Sequence, residues 1–417
     1  MKVSALAENL IGSEIIKIGN EVNELKAKGQ QIANLTIGDL NSNLYPIPQA
    51  LKNHIAKAYD NNLTNYPPAS GLESLRRAVS EDLLSRYSLS YSIDDILIAG
   101  GSRPLIYATY KALVDPGDKV IYPVPSWNNN HYSYLSQAEK VEIETLEENN
   151  FLPTASELAP HLEGATLVAL CSPLNPTGTQ FTKKQLEEIC DLILEENKRR
   201  GPEEKPLYLL YDQIYALLTF DAPHFNPVSL RPEMKDYTVY IDGTSKSFAA
   251  TGLRVGWAFG PSTVLSKMKA LLGHIGAWAP KPEQHAVGEF LGEIQELETF
   301  VEDFKGKINE SLTVLHQGIQ SLKEKGYLVD SIQPMGALYL TVKIDYLGKV
   351  LPSGQKLESS SDLVFYLIQE AGVALVPFSA FGNSSLVPWF RASVGGVSKK
   401  DLEKLFPRLE AALDKIM

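Results

Sequence analysis

The chain has 417 residues, 44% of them hydrophobic and 21% charged. At roughly 100–200 residues per domain this is material for about two to four domains, and the composition lies outside the weakly hydrophobic, highly charged range in which chains stay disordered. Lys and Arg number 39 against 50 Asp and Glu, a formal net charge of −11, and the basic residues are scattered rather than gathered in a stripe, which argues against duplex nucleic acid and for a small ligand. Cys171 and Cys190 are too few for a disulfide framework and lack the Cys/His spacing of a zinc site, so no metal is expected and a reducing compartment suits both. Lys2, Glu8, Glu14 and Lys17 interrupt the first apolar residues, so no secretory signal is read there. No run approaches the ~20 apolar residues of a membrane span, and the expected location is the cytoplasm, with no membrane partner.

In chain order, residues 1–45 carry helical and turn signals but no strand series. From about 93 to 260, β-branched runs alternate with helix-period segments, the pattern of βαβ units. Strands are expected at 95–99, 119–124, 166–171, 207–212, 237–242 and 254–259, each apolar on both faces as in a helix-covered sheet. Helices are expected at 104–114, at 183–200 between the cap Thr182 and the stop Gly201-Pro202, and at 262–273. Beyond 284 a long charged helical stretch, 289–325, is read with a break near Lys305 to Lys307. Strands at 336–344 and 373–376, an exposed loop insertion at 353–361 and a closing helix at 398–415 complete the pattern. The class is α/β, with a mainly parallel central sheet in a large domain, 46–290, and a smaller α+β domain made of 1–45 with 291–417.

Several motifs sit where strands end. Gly100-Gly101-Ser102 joins a strand to a helix, where free backbone N–H groups bind anions such as phosphate; taken alone, so short a motif is more often an ordinary tight turn, and neither GxGxxG nor GxxxxGKS is present. SPLNPTG (172–178) holds Asn175 between two prolines at a strand's carboxyl end, the usual place for a ligand in an open α/β sheet, although a rigid loop with a locally bonded Asn is the plainer reading. Asp212 ends a strand and Tyr215 comes on the next turn; the carboxylate needs a cationic partner unless it merely caps a helix there. Lys246 lies among small residues, and a partly desolvated lysine is a nucleophile toward carbonyls, as Schiff-base chemistry requires. Arg254 stands eight residues further on. Arg391 is embedded in apolar and small residues, with the planar fork that suits a carboxylate, or else a structural ion pair. The seven histidines show no ligand spacing, and Cys171 reads as a core residue.

Taken together, Gly100-Gly101-Ser102, Trp127, SPLNPTG, Tyr211-Asp212-Gln213-Ile214-Tyr215, Ser245-Lys246 with Arg254, and Phe390-Arg391-Ala392-Ser393 resemble the class I/II aminotransferases over about residues 36–396. These are pyridoxal 5'-phosphate-dependent enzymes of fold type I, with aspartate aminotransferase as type member. The resemblance implies ping-pong transfer of an amino group between an L-amino acid and a 2-oxo acid, of aspartate type or broad specificity. It implies that Lys246 forms the internal aldimine and moves the substrate proton, and that Asp212 keeps the pyridine nitrogen protonated. Asn175 and Tyr215 match donors to the ring's phenolic oxygen, and Trp127 the stacking aromatic. Gly101, Ser102 and Arg254, with Arg103 and Ser245 beside them, match the phosphate cradle. Arg391, Asn175 and the backbone near Gly38 match the clamp on the substrate's α-carboxylate. Tyr66 matches a tyrosine that reaches the neighbouring subunit's cofactor, implying a homodimer.

Two departures from the family pattern stand out. Gly243 occupies a position where many relatives carry a phosphate-binding serine, leaving Thr244, Ser245 or Ser102 to substitute. No arginine stands in 271–280, and Ser102 occupies the place of a lysine in another branch, so aspartate specificity depends on Arg103 or another residue. Trp127, Trp278 and Trp389 would suit an apolar pocket or simply packing. The competing activities are a carbon–sulfur β-lyase of the same fold and a cofactor-binding regulatory domain without catalysis, against which the intact Lys246 and Asp212 argue.

Overall fold

A computed structural model describes residues 3–10, 12 and 14–416. Its central sheet has seven strands: β1 (Ile96–Ala99), β2 (Lys119–Val124), β3 (Glu139–Glu144), β4 (Ala165–Cys171), β5 (Tyr208–Asp212), β6 (Thr238–Gly243) and β7 (Gly256–Phe259). The order is β1-β7-β6-β5-β4-β2-β3. Only β7 runs antiparallel to its neighbours; every other pair is parallel.

Side-chain alternation explains why this sheet is apolar throughout, because successive residues face opposite sides and both sides are covered. Ile96 and Ile98 pack with Val168, Leu209 and Tyr240 under the Glu73–Tyr87, Lys183–Arg200 and Lys281–Gly292 helices. Leu97 and Ala99 pack with Ala169, Leu210 and Ile241 under Ser102–Leu113 and Ser262–Ile275. The exception is β3, which the sequence pattern does not predict. It is the sheet's edge, and of its sequence EKVEIE only Ile143 is buried; an edge strand tolerates, and is protected by, such charge.

A second sheet contains β8 (Val329–Ser331), β9 (Tyr339–Ile344), β10 (Val376–Pro377) and β11 (Trp389–Ser393), in the antiparallel order β10-β11-β9-β8. The helices Ile294–Glu324, Ser360–Ala371 and Lys399–Leu413 share its apolar cluster. Ala33–Asn34 pairs in parallel with Val373–Ala374, tying the N-terminal segment to this C-terminal part.

The long helical stretch differs from its expected form. Its break falls at Glu293, which has ψ 65° between Lys281–Gly292 and Ile294–Glu324, and the helix runs unbroken through 305–307. Phe304, Ile308, Leu312, Leu315 and Ile319 continue the buried stripe across Gly306, while Lys305 and Lys307 pair with Glu302 and Asp303 one turn back. The strand expected at 336–344 begins only at Tyr339, after Ala337 at φ 57°. The run 373–376 divides between two sheets. Of the loop 353–361, Leu357 is fully buried and Ser359 caps the next helix through Asp362.

The sheet direction positions the site. The carboxyl ends of β1, β4, β5 and β6 and the amino end of β7 share one edge, so Gly101, Asn175, Asp212, Lys246 and Arg254 all lie just beyond it.

Candidate active site

That edge opens on a cavity of about 710 Å³, within the range of small-molecule sites. Lys246 and Arg391, which the sequence places 145 residues apart, both line it, together with Gly38, Asn175, Asp212 and Tyr215. So do Ser102, Arg103, Trp127, Ser245 and Arg254.

Lys246 stands in the single helical turn Thr244–Ser247 after β6. Its Nζ donates to the Gly38 carbonyl. Burial pulls its pKa down to about 8, with Asp39 opposing and Arg391, Arg103 and Arg254 adding to the fall.

Asp212 accepts one bond, from the Ile214 N–H at 3.1 Å. Burial raises its carboxyl to about 6, and no cation pairs with it among the described residues. A cap on the following turn accounts for that single bond and leaves most of the carboxylate's acceptor capacity unused.

Arg391, on β11, is 2% exposed. It donates through Nη1 to Asn175 Oδ1 at 3.0 Å and through Nη2 to the Thr36 carbonyl at 2.6 Å. Its Nε is buried without a partner. The guanidinium lies 4.7 Å from the Tyr339 ring centroid and 4.9 Å from that of Phe381. Desolvation lowers its pKa. A structural ion pair, the plain alternative for a buried arginine, is not made by any described residue.

At the end of β1, Gly101 adopts φ 96°, and a Cβ there would fall 2.3 Å from Arg254 Nη2. Glycine is thus what lets the guanidinium approach the strand–helix turn. Arg254 donates to the carbonyls of Gly100 at 3.0 Å and Thr251 at 2.8 Å and meets no described carboxylate. Ser102 opens the Ser102–Leu113 helix, whose first N–H groups lack intrahelical partners. Gly243, by contrast, is a packing glycine: a Cβ there would sit 2.8 Å from Gly256 Cα and 2.9 Å from the Val255 carbonyl oxygen. Thr244 is fully buried and donates to Val255, so of the three hydroxyls considered in place of a serine at 243 only Ser102 and Ser245 line the cavity.

Arg103 stacks over Trp127, 5.3 Å from the ring centroid, with no carboxylate partner among the described residues. Tyr215 shares a 2.7 Å hydrogen bond with Tyr339. Cys171 lines the cavity as a thiol, its pKa pushed well up by burial and by Asp212. In a chain of net charge −11, this one cavity carries four cationic side chains against the two carboxylates of Asp39 and Asp212.

Two expected residues lie elsewhere. Gly101 backs Arg254 without lining the cavity, and Tyr66 is 81% exposed, its ring against Trp278. Trp389 packs with Phe151 and Phe378, so of the three tryptophans considered as a pocket only Trp127 faces the cavity. Tyr339, Asp39 and Thr36 line it without having been singled out from the sequence. Asp39 directly follows Gly38, whereas Tyr339 sits in an apolar strand run that reads as core.

The family model for class I and II aminotransferases matches residues 30–409. An aspartate aminotransferase of Rhizobium meliloti (strain 1021) is 28% identical over 408 residues, 97% of this chain and 94% of that protein. A probable aspartate/prephenate aminotransferase of Rickettsia felis is 29% identical over 423 residues, covering 99% of this chain and 97% of its own. The crystal structure of an aspartate aminotransferase from Rhizobium meliloti superposes with a TM-score of 0.91 at 27% identity, covering 100% of both chains.

Proposed function

The chain belongs to the class I and II aminotransferases, and on that premise we propose that it transfers an amino group from an amino acid with an acidic side chain to a 2-oxo acid, with Lys246, Asp212 and Arg391 at the centre of the reaction. It is a pyridoxal 5'-phosphate-dependent transaminase of fold type I. The observation that carries the residue assignment is the charge inventory: none of the cavity's four cations meets a carboxylate among the described residues.

The donor set fits the cofactor. Arg254, brought close by Gly101, would hold the phosphate with the Ser102 and Ser245 hydroxyls. Asp212 would hold a proton at the ring nitrogen, and Asn175 and Tyr215 would direct their donors to the phenolic oxygen. Trp127 would cover the ring. When bound, pyridoxal 5'-phosphate supplies a carbonyl for an amine and a protonated ring that withdraws electron density from the substrate's α-carbon. Arg391 binds the substrate's α-carboxylate through its planar fork. Lys246 takes the α-proton through Nζ and returns it at a neighbouring atom, work suited to an amine whose pKa lies near 8.

Arg103 supports the acidic donor. With the phosphate on Arg254 and the α-carboxylate on Arg391, it is the remaining cation, and a second carboxylate on the substrate is its natural partner. We also take the enzyme to be a cytoplasmic homodimer, built from a larger unit at 46–290 and a smaller one from 1–45 with 291–417. Tyr66 and Tyr59, exposed on either side of the start of the Lys281–Gly292 helix through contacts with Trp278 and Glu283, support the dimer. Two apolar clusters support the division, one drawn mainly from each unit, with Ile214, Tyr215 and Leu218 joining the smaller unit's cluster and Leu297 and Val301 the larger's. No described helix is long and apolar enough to cross a membrane.

The test is a half-reaction. Single amino acids are added to the purified holoenzyme without any 2-oxo acid, and the visible band and released products are followed. Loss of the band with one equivalent of 2-oxo acid per site, abolished in Lys246→Ala, is expected. Ammonia and a 2-oxo acid accumulating over many turnovers would instead identify a lyase and overturn the reading.

A further inference from the structure

We propose that Tyr339 is a positioning residue that couples the two halves of the site, its hydroxyl orienting Tyr215 and its ring orienting Arg391. The inference rests on the functional reading above, in which Tyr215 serves the cofactor and Arg391 the substrate.

Tyr339 is 1% exposed on β9, and its hydroxyl is 2.7 Å from that of Tyr215, itself 2% exposed. No other hydrogen bond is made by the Tyr339 side chain among the described residues. One proton lies between the two oxygens, so one phenol donates to the other. If Tyr215 donated to Tyr339, its only proton would be committed to that bond. If Tyr339 donates, the Tyr215 oxygen accepts and its own proton is free for a ligand in the cavity that both residues line. A donor whose oxygen also accepts is polarised into a stronger donor.

The other end of the residue has a different function. Thr341 lies opposite Arg391 across the β9–β11 ladder, and Tyr339 is two residues earlier on the same face. Its ring centroid is 4.7 Å from the guanidinium carbon. The Arg391 Nε has no hydrogen-bond partner among the described residues, so a ring face is part of what holds the fork in place. The hydroxyl also closes on the chain at Gly38, where a Cβ would fall 2.8 Å from it, and Gly38 is the residue whose carbonyl receives Lys246.

The two functions separate by substitution. Tyr339→Phe keeps the ring and removes the hydroxyl; Tyr339→Leu removes both. The holoenzymes are titrated by visible absorbance across pH, and succinate binding is measured by calorimetry. In Tyr339→Phe the midpoint of the spectroscopic titration is expected to rise by about half a pH unit, the scale of one neutral hydrogen bond, with succinate affinity within about twofold of wild type. In Tyr339→Leu the same rise should come with at least a tenfold loss of succinate affinity, comparable to losing a desolvated cation–π contact. A Tyr339→Phe titration superimposable on wild type overturns the hydroxyl's role, and Tyr339→Leu binding succinate like wild type overturns the ring's. A wild-type protein that shows no cofactor band overturns the functional reading itself, and this inference with it.

Discussion

Replacing Asp212 by Asn should stabilise the cofactor-stripped protein and destabilise the loaded one. The carboxyl's pKa rises from 3.8 to about 6 because burial disfavours its charged form. Between those values the folded state holds a proton that the unfolded chain has released, so stability falls as pH rises through the window, and the full penalty applies above it. Two units correspond to about 3 kcal/mol at about pH 8, falling to about 1 kcal/mol near pH 4.5. Asp242, raised to about 7 chiefly by its own burial and in smaller part by the Asp212 charge, adds a slope of the same sign in both proteins, and the variant relieves that smaller part as well, which widens the gap in the same direction. One kcal/mol moves Tm by roughly 2–4 °C in a chain of 150–250 residues and by less in a longer one. Stripped Asp212→Asn is therefore expected to melt about 3–6 °C above stripped wild type near pH 8, and the gap should narrow in acid. With cofactor bound, the carboxylate gains a cationic partner and the order should reverse. Differential scanning calorimetry of the four samples checks this. A stripped variant that melts below wild type near pH 8 would mean that an internal cation already compensates Asp212, and the argument from unpaired charge would fail.

Three further outcomes are expected. In stripped protein, acylation of Lys246 by an amine-selective reagent, monitored by mass spectrometry, should reach half its limiting rate near pH 8, where an ordinary lysine needs a pH above 10; a midpoint above 10 would contradict its desolvation. Arg103→Gln should lower kcat/KM for aspartate by about 10–100-fold, the value of one charge-assisted hydrogen bond of about 1.5–3 kcal/mol, while alanine changes little; equal losses for both donors would assign Arg103 to the cofactor instead. Gly243→Ser introduces the serine that the family resemblance leads one to expect there, yet its Cβ meets Gly256 Cα at 2.8 Å and the Val255 carbonyl oxygen at 2.9 Å, so it should cost about 1–3 kcal/mol by overpacking without tightening cofactor binding, as titration of the stripped variant would read.

The distance along the chain between interacting residues decides which features are legible in the sequence. The apolar runs that became β1, β2 and β4–β7 carry their signal locally, and so does the helix between Thr182 and Gly201, whose cap bonds span three residues. The placing of Asp212, Lys246 and Asn175 on the cavity is legible because each lies at a strand's carboxyl end or within four residues after it, where the fold class already places ligands. Edge strand β3 carries charge where an inner strand carries valine, and so offered no apolar run. Tyr339 offered nothing at all: its hydroxyl partner is 124 residues away, and locally it is one aromatic among apolar neighbours. The break at Glu293 was misplaced to 305–307 because Lys-Gly-Lys looks like a helix end, whereas the buried stripe one face round, from Phe304 to Ile308, ignores it.

Arg391 shows why the site is read as a site rather than as strained core. A buried guanidinium whose role is structural is ordinarily given a carboxylate, because an unpaired buried charge is costly to hold. The register leaves Arg391 opposite Thr341 on one side and Val376 on the other, and its donors reach only the neutral oxygens of Asn175 and Thr36. Two neighbouring strands thus provide no counter-charge, and two aromatic rings close the remaining approach. Among the described residues the same omission recurs at Lys246, Arg254 and Arg103, in a chain whose acidic residues outnumber its basic ones by 50 to 39. The three arginines among these are where the phosphate and the two carboxylates proposed above would bind, and each anion that binds returns its free energy to the folded state by mass action.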